Sequence, residues 1–177
     1  MANKEALREL QSRLAERLTL ARTQERGKPW LAVESAGRGF LLPLKDAGEI
    51  FPFTGALAVP HSVSWFMGVS NLRGRLHGVV DLSRFLGLEI PSRISDAARD
   101  ASHVVAFNAS LDINCALWVE KLAGLRNASQ LSLDDAVNPS TLPPFVGQRF
   151  RDEDGRLWQE LSLAALSEDE EFLKIVG

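Results

Sequence analysis

The feature that most constrains the fold is a run of apolar segments and glycine-rich corners between positions 59 and 82. An apolar segment at 66–69 leads into the tetrapeptide Asn-Leu-Arg-Gly at 71–74, and a second, largely apolar segment at 76–80 leads into Asp81. Short apolar segments bounded by glycine and asparagine are typical of β-strands. The pattern therefore predicts a strand, a tight corner and a returning strand.

The corner needs backbone conformations with positive φ, which glycine and asparagine tolerate best. The side chains with a full charge at this corner are Arg73 and Arg75. A guanidinium fixed on a compact turn can donate hydrogen bonds to a carboxylate or to a backbone carbonyl. Chemistry alone therefore fits Arg73 equally well as a partner contact and as an arginine that bonds the carbonyls of its own turn. The residues expected to supply the positive φ angles are Gly68, Asn71, Gly74 and Gly78.

Most of the remaining chain also predicts short strands. They are expected at 30–34, 40–44, 57–59, 102–107, 114–119, 145–150 and 156–161, with a less regular segment at 122–125. Turn residues at 37–39, 108–110 and 152–155 join three pairs of them into hairpins. A polar segment at 89–101 is expected to be a connecting loop. Many short strands with such turns favour β-barrels over an open sheet.

Three segments predict helices. From about Asn3 to Arg26, leucines at positions 7, 10, 14 and 18 form one apolar stripe, which either docks on its own domain or binds a partner. Asp81 is expected to cap a short helix at its amino end. Ser167 and Glu170 have the spacing of a capping box for a last helix that carries apolar residues at 172, 173, 175 and 176.

Composition limits the class of protein. The chain has 177 residues, 45% of them hydrophobic and 24% charged, which suits one domain or two small intertwined subdomains. A net charge of −3 argues against a nucleic-acid-binding surface. A single cysteine forms no internal disulfide and suits a reducing compartment. Without an apolar leader or a run of roughly 20 apolar residues, we expect a cytoplasmic protein with no direct membrane insertion.

The sequence offers little to catalysis. His61, His77 and His103 lack the spacing of a metal site, and no phosphate-binding loop or nucleophile motif occurs. Cys115 lies among apolar residues, which predicts a buried, inert thiol. We therefore expect no catalytic residue, cofactor or metal. A thiol enzyme centred on Cys115 and a small-ligand β-barrel are the less favoured alternatives.

The ordered series from Phe66 to Asp81 resembles the signature of CheW-like coupling domains. The series is an apolar pair, Gly-Val, Asn-Leu-Arg-Gly, an apolar strand and Asp-Leu. A weaker resemblance extends from about Trp30 to about Leu166. The arginine-rich leading segment and the acidic end are more similar to the branch of the family that serves type IV pilus (twitching) systems than to the flagellar branch, which is the alternative.

The resemblance implies a fold and a role. The fold would be mostly β, with two intertwined, five-stranded, SH3-like β-barrels, an N-terminal helix at 1–28, a CheW-like domain at 29–166, and a short C-terminal helix or tail at 167–177. The role would be that of a non-enzymatic adaptor. Its partners would be the cytoplasmic tip of a chemoreceptor and the regulatory domain of a CheA-type histidine kinase, with no nucleic acid.

The resemblance also singles out site residues. Arg73 is the leading partner contact, because the arginine of this motif matters for receptor coupling in the family. Glu49 precedes Ile50, as in a Glu-Ile pair near the family's partner-binding surface. The receptor is expected in a groove between the barrels, where Val69 and Leu72 are candidates, although a core position is the favoured interpretation for both. Asn71 completes the predicted contacts, and the glycines expected to hold the turn are Gly68, Gly74 and Gly78.

Overall fold

The computed structural model of this chain describes residue 13 and residues 28–88, 96–135 and 141–177. The helix predicted for 3–26 lies, apart from Arg13, outside the described residues. No helix in the described part combines the length and the apolar character needed to cross a membrane.

Strands dominate the described part of the chain. The strands are β1 (Pro29–Ser35), β2 (Arg38–Pro43), β3 (Ala47–Pro52), β4 (Phe66–Leu72), β5 (Arg75–Asp81), β6 (His103–Phe107), β7 (Cys115–Val119), β8 (Lys121–Asn127), β9 (Leu131–Leu133), β10 (Val146–Asp152) and β11 (Leu157–Leu161). The helices are α1 (Leu82–Phe85), α2 (Asp96–Asp100), α3 (Leu163–Leu166) and α4 (Glu170–Leu173), with 3₁₀ turns at Ala109–Leu111 and Ala128–Gln130.

The strands form two sheets whose chain segments are interleaved. The first sheet has the order β8-β1-β2-β11-β10-β9, and the second has the order β3-β6-β7-β5-β4. The chain begins in the first sheet with the β1–β2 hairpin, builds the whole second sheet, and returns to complete the first. In the first sheet β2 pairs with β11 in parallel, and in the second β5 pairs with β7 in parallel. A long stretch of chain connects the two strands of each pair. The second sheet is therefore one continuous segment of sequence, inserted between the two parts of the first.

Each sheet curls around an apolar core of its own. In the first, Ala123 of the edge strand β8 and Leu131 of the opposite edge strand β9 pack on the same cluster, which contains Trp30 and Trp158. In the second, residues of both edge strands β3 and β4 pack around Trp118. Two opposite edges can meet one core only if the sheet bends round it. The predicted mostly-β fold with two intertwined small β-barrels is confirmed in the form of two curled sheets, with β9 as a sixth strand in the first where five were expected.

A third and larger core lies between the two sheets. It joins alternate residues of β1 and β2 with residues of β5, β6 and β7, as the period of two along a strand requires. Phe172 of α4 closes it. Its ring centroid lies 5.1 Å from that of Phe85, 5.7 Å from that of Phe107 and 6.2 Å from that of Trp65. The acidic end of the chain therefore contributes an aromatic anchor to the core.

The predicted hairpins are confirmed, and so is the cap of α1, where the Asp81 carboxylate accepts from Arg84 N at 3.1 Å. At the 152–155 turn, the Asp152 carboxylate accepts from Trp158 Nε1 at 2.8 Å and from backbone N–H groups. These bonds, the Trp158 bond first, lower the pKa of Asp152.

Four predictions about strands and loops are wrong. Strand β3 was missed because Gly48 and Pro52 interrupt its pattern, and β9 because it has only three residues. The segment 57–59 is not a strand but makes a single bridge between Leu57 and Val69. The predicted loop 89–101 contains α2, and its residues 89–95 lie outside the described ranges.

The predicted cap of the last helix is also wrong. Asp169 caps α4 by accepting from Phe172 N at 2.9 Å, while the Ser167 hydroxyl donates to Ala164 O at 2.7 Å at the end of α3. Aspartate caps as well as serine does and lies directly before the helix. After Leu173 the chain is extended, and Val176 bridges to Ser62.

Replacing Phe172 by Ala should lower the free energy of unfolding by about 3–5 kcal/mol, because it removes a ring that is 2% exposed in an aromatic core. Urea unfolding followed by tryptophan fluorescence measures the change. The matched control is Leu173→Ala, next in sequence but 49% exposed, which should change stability by less than about 1 kcal/mol. Equal losses in the two variants would contradict the anchoring role of the last helix.

Candidate partner-binding site

The turn between β4 and β5 carries the site. Leu72 pairs with Arg75, so Arg73 and Gly74 are the two loop residues of a tight hairpin. Their φ angles are +50° and +81°, the signs that a type I′ turn requires. The Asn71 side-chain oxygen accepts from Gly74 N at 2.7 Å and holds the turn closed. The geometry projects the Arg73 side chain into solvent, where 74% of it is exposed.

The predicted positive-φ residues are only partly right. Gly68 and Gly74 have positive φ, whereas Asn71 and Gly78 do not, and Arg73 itself has. Gly78 lies inside β5 rather than in a turn, where a Cβ would come within 3.0 Å of the Phe66 ring. Gly68 lies at a bulge of β4, where a Cβ would collide with the Leu57 carbonyl. Three glycines near one corner thus serve three different needs.

The structure brings two candidates together across the curled sheet. Arg73 Nη1 lies 2.7 Å from Glu49 Oε2, and the guanidinium lies 5.8 Å from the centroid of the Phe51 ring. Glu49 and Phe51 belong to β3, one edge strand of the second sheet, whereas Arg73 follows β4, the other edge strand. The ion pair therefore spans the two edges of the curl. Sequence analysis found both charges but missed their pairing and Phe51, because nothing in the spacing indicates how the sheet closes.

The ion pair between Arg73 and Glu49 is weak enough for either side chain to bind another molecule instead. Glu49 is 58% and Arg73 74% exposed at the side chain, and an ion pair so accessible to water contributes about 0–1 kcal/mol. Beneath it, a shallow cavity of about 210 Å³ extends along β3 and the β4–β5 hairpin to Ala106–Ala109. An opposite charge from another molecule could reach either member of the pair without unfolding the hairpin.

Two other candidates, Leu72 and Val69, contribute to the cores, which is the interpretation that their sequence favours. Leu72 is buried in the core of the second sheet, and Val69 is half-buried against the core between the sheets. Alternation along β4 places the two side chains on opposite faces of the second sheet, and a core covers each face. His77 is accommodated in β5, with Nδ1 3.1 Å from Arg75 O. The accessible part of the site therefore consists of Arg73 and Glu49, with Asn71 supporting the turn.

The described residues form no catalytic arrangement. Cys115 is buried in the core between the sheets, and this burial raises the pKa of its thiol to about 12. No group of three acidic, histidine or cysteine side chains gathers as metal ligands within the described ranges. The arrangement offers charged and apolar surface for a partner rather than a reaction centre.

Comparisons with known proteins agree with this arrangement. The profile of the CheW-like domain family matches residues 29–171. Protein PilI of Pseudomonas aeruginosa (strain PAO1) is 28% identical over 157 residues, which cover 86% of this chain and 83% of that protein. The crystal structure of scaffolding protein TtCheW from Thermoanaerobacter tengcongensis superimposes with a TM-score of 0.61 over 77% of this chain and 89% of that one, at 18% identity. The structural likeness is one of fold.

Two glycines with positive φ provide a matched test of the site's construction. Gly74→Ala should cost about 1 kcal/mol, because a Cβ there has free space and only the backbone conformation is strained. Gly68→Ala should cost about 3 kcal/mol or more, since its Cβ also meets the Leu57 carbonyl. Thermal and urea unfolding compare the two, and similar losses would contradict the bulge contact.

Folded protein should leave Cys115 unmodified by a thiol reagent at pH 8, because with a pKa of about 12 only about one thiol in ten thousand is ionised there. Urea should make the thiol react at once. Below the ordinary pKa of 9.0 the group has no effect on stability, which then falls as the pH rises toward about 12, because the unfolded chain ionises first. Mass spectrometry follows the label, and rapid modification of the folded protein would contradict the burial.

Proposed function

Because the chain belongs to the CheW-like domain family, we propose that it couples the cytoplasmic tip of a chemoreceptor to the regulatory domain of a CheA-type histidine kinase. The family match across residues 29–171 is the observation that carries the proposal. Members of this family are scaffolds without catalysis of their own, and this chain is such a scaffold. The two named partners are the specific content of the proposal.

The fold suits this role physically. A coupling protein adds binding energy between two partners and must keep their relative geometry fixed, so that a change in one biases the other. Here the two sheets share one core, so surfaces on both move as a unit. A flexible linker would bring the partners together but would not transmit a change in shape between them.

We assign the receptor contact to Arg73, with Glu49 beside it. Arg73 lies on a short, hydrogen-bonded turn and is mostly exposed, so its guanidinium is already positioned for a carboxylate of the partner. Its internal pair with Glu49 costs little to exchange, as its exposure implies. Asn71 acts indirectly by fixing the turn, and Val69 and Leu72 support it from the core.

The pathway is proposed from the similarity to one curated relative. The similarity to Protein PilI covers most of both chains. On that basis we propose that the chain works in the cytoplasm, at receptor arrays of a chemosensory system that controls type IV pilus twitching motility. A flagellar pathway is the alternative, and the genes adjacent to this one would distinguish the two.

The proposal is tested by quantitative pull-down with a cognate receptor tip and with the kinase regulatory domain. Arg73→Glu should weaken receptor binding about tenfold or more, because attraction becomes repulsion, while the free energy of unfolding changes by about 1 kcal/mol or less. Kinase binding by this variant should stay at the wild-type level. Arg99→Glu, an exposed residue on α2, makes the same change of charge as a control.

The charge-swapped double variant Glu49→Arg with Arg73→Glu distinguishes a receptor contact at Arg73 from an ion pair that only stabilises the turn. The swap restores the internal ion pair but not the charge presented to a partner. Receptor binding should therefore stay weak in the double variant. Full recovery would show that the pair only braces the turn and would remove Arg73 from the receptor contact. Failure of the wild type to bind either partner would refute the coupling proposal itself.

A further inference from the structure

A second surface of the molecule combines arginines with apolar side chains, most of which are half-buried. It is a groove of about 670 Å³ on the side of the first sheet that faces the second, beyond the edge of the shared core. Strands β2, β10 and β11 form its floor, and the segment that follows α1 forms one wall. Its apolar lining is Phe40, Leu86, Leu88, Leu142, Val146, Leu157 and Leu161.

Four arginines line this groove, and none of the acidic residues that the structure describes does. They are Arg38, Arg149, Arg151 and Arg156. The excess of positive charge is notable because the whole chain has a net charge of −3. The charged residues that line the groove are therefore basic, although the protein as a whole is acidic.

Internal partners neutralise this charge only in part. Arg149 Nε lies 2.7 Å from Asp134 Oδ2, and Arg151 Nη2 lies 4.0 Å from the same oxygen. Arg156 pairs with Glu34 at 2.8 Å and stacks 4.7 Å from the centroid of the Trp158 ring. Arg38 is exposed, and no carboxylate among the described residues forms an ion pair with it. Arg38 therefore has no ion-pair partner among the described residues and Arg151 has only a distant one, so each of these two guanidinium groups can take a carboxylate of another molecule.

We propose that this groove docks an acidic amphipathic segment of a partner protein. Arginine forks bind carboxylates with two parallel hydrogen bonds, and the leucine-lined floor takes the apolar face of the same segment. A volume near 670 Å³ lies within the range of sites that bury a ligand of several side chains. The apolar floor makes a nucleic-acid backbone a poor fit, since phosphates offer nothing to bury there.

The chain itself does not supply such a segment. Residues 1–28 contain seven Lys and Arg against four Glu, so their charge would be repelled. The segments 89–95 and 136–140 adjoin the groove in sequence and together contain one Glu and one Arg. The acidic run that includes Glu170 and Glu171 is held next to Phe172, which is fixed in the core. The occupant is therefore expected from another protein.

The groove is separate from the Arg73 turn. The cavity beneath the turn and this groove have no lining residue in common, and they lie on different sheets. The inference does not depend on which partner contacts Arg73. A scaffold with two such surfaces could hold two segments at the same time.

Fluorescence anisotropy with a labelled synthetic peptide that repeats Leu-Glu-Glu-Leu tests the proposal on the full-length protein. The acidic peptide should bind, the counterpart that repeats Leu-Lys-Lys-Leu should not, and salt should weaken binding. Arg38→Glu and Arg151→Glu should each reduce affinity about tenfold, whereas the control Arg99→Glu should leave it unchanged. Leu157→Ser, which removes a 40% exposed leucine from the lining, should also reduce it.

Backbone amide shifts on titration with the same peptide locate the site. The expected shifts cluster at Leu86, Val146 and Leu157. Shifts centred on Arg73, equal binding of the two peptides, or equal losses in Arg38→Glu and Arg99→Glu would each overturn the proposal. So would a DNA oligonucleotide of matched charge that competes with the peptide equally well, because the groove would then be a general polyanion site. The Arg73→Glu variant should bind the peptide like the wild type, which separates this result from that of the receptor test.

Discussion

The facing sides of the two sheets bury each other in a shared core, and the positions of all other features depend on this contact. Leu42 and Leu161 come from the first sheet, and Val105 and Leu117 from the second, and each of these four side chains is almost fully buried. Because the chain starts in the first sheet, builds the second as one continuous segment and returns, the two halves of the first sheet are joined through the second. The interface is thus a contact within one folded unit rather than an association of two domains that follow each other in sequence.

This shared core explains how a small protein can act as a rigid scaffold. The Arg73 turn lies at an end of the second sheet, while the arginine-lined groove lies on the first. Were the sheets joined by a flexible connection, each would carry its partner independently. The two sheets pack on one core, which Phe172 closes. The surfaces that they carry therefore keep a fixed distance and orientation. Transmission between partners needs that fixed geometry more than it needs high affinity at either surface.

The sequence predicted the parts of the fold that local chemistry determines. Turns with glycine and asparagine placed the hairpins, and the Asn-Leu-Arg-Gly corner placed Arg73 on a turn. It failed where a long-range contact decides the outcome. Strand β3 has a poor strand pattern and exists because β6 pairs with it, and Gly78 is required by the Phe66 ring rather than by a turn. The meeting of Arg73 with Glu49 depends on the curl of a sheet, which no local pattern encodes.

Neither the geometry of the β4–β5 turn nor its internal contacts explain why residue 73 is an arginine. The β1–β2 hairpin has a turn of matching geometry, with Ala36 at φ +49° followed by Gly37 at +71°. Alanine adopts this backbone conformation without any long side chain, so the strain of about 1 kcal/mol is tolerated by the fold and does not by itself mark a site. The exposed ion pair with Glu49 stabilises the fold by an amount of similar size, about 0–1 kcal/mol. Neither turn geometry nor internal pairing therefore requires arginine, and asparagine would suit the turn better. What distinguishes Arg73 from Ala36 is a charged fork held open to solvent between the edges of the second sheet. That arrangement suits a carboxylate of a second molecule, which supports the proposed assignment of Arg73 as a partner contact.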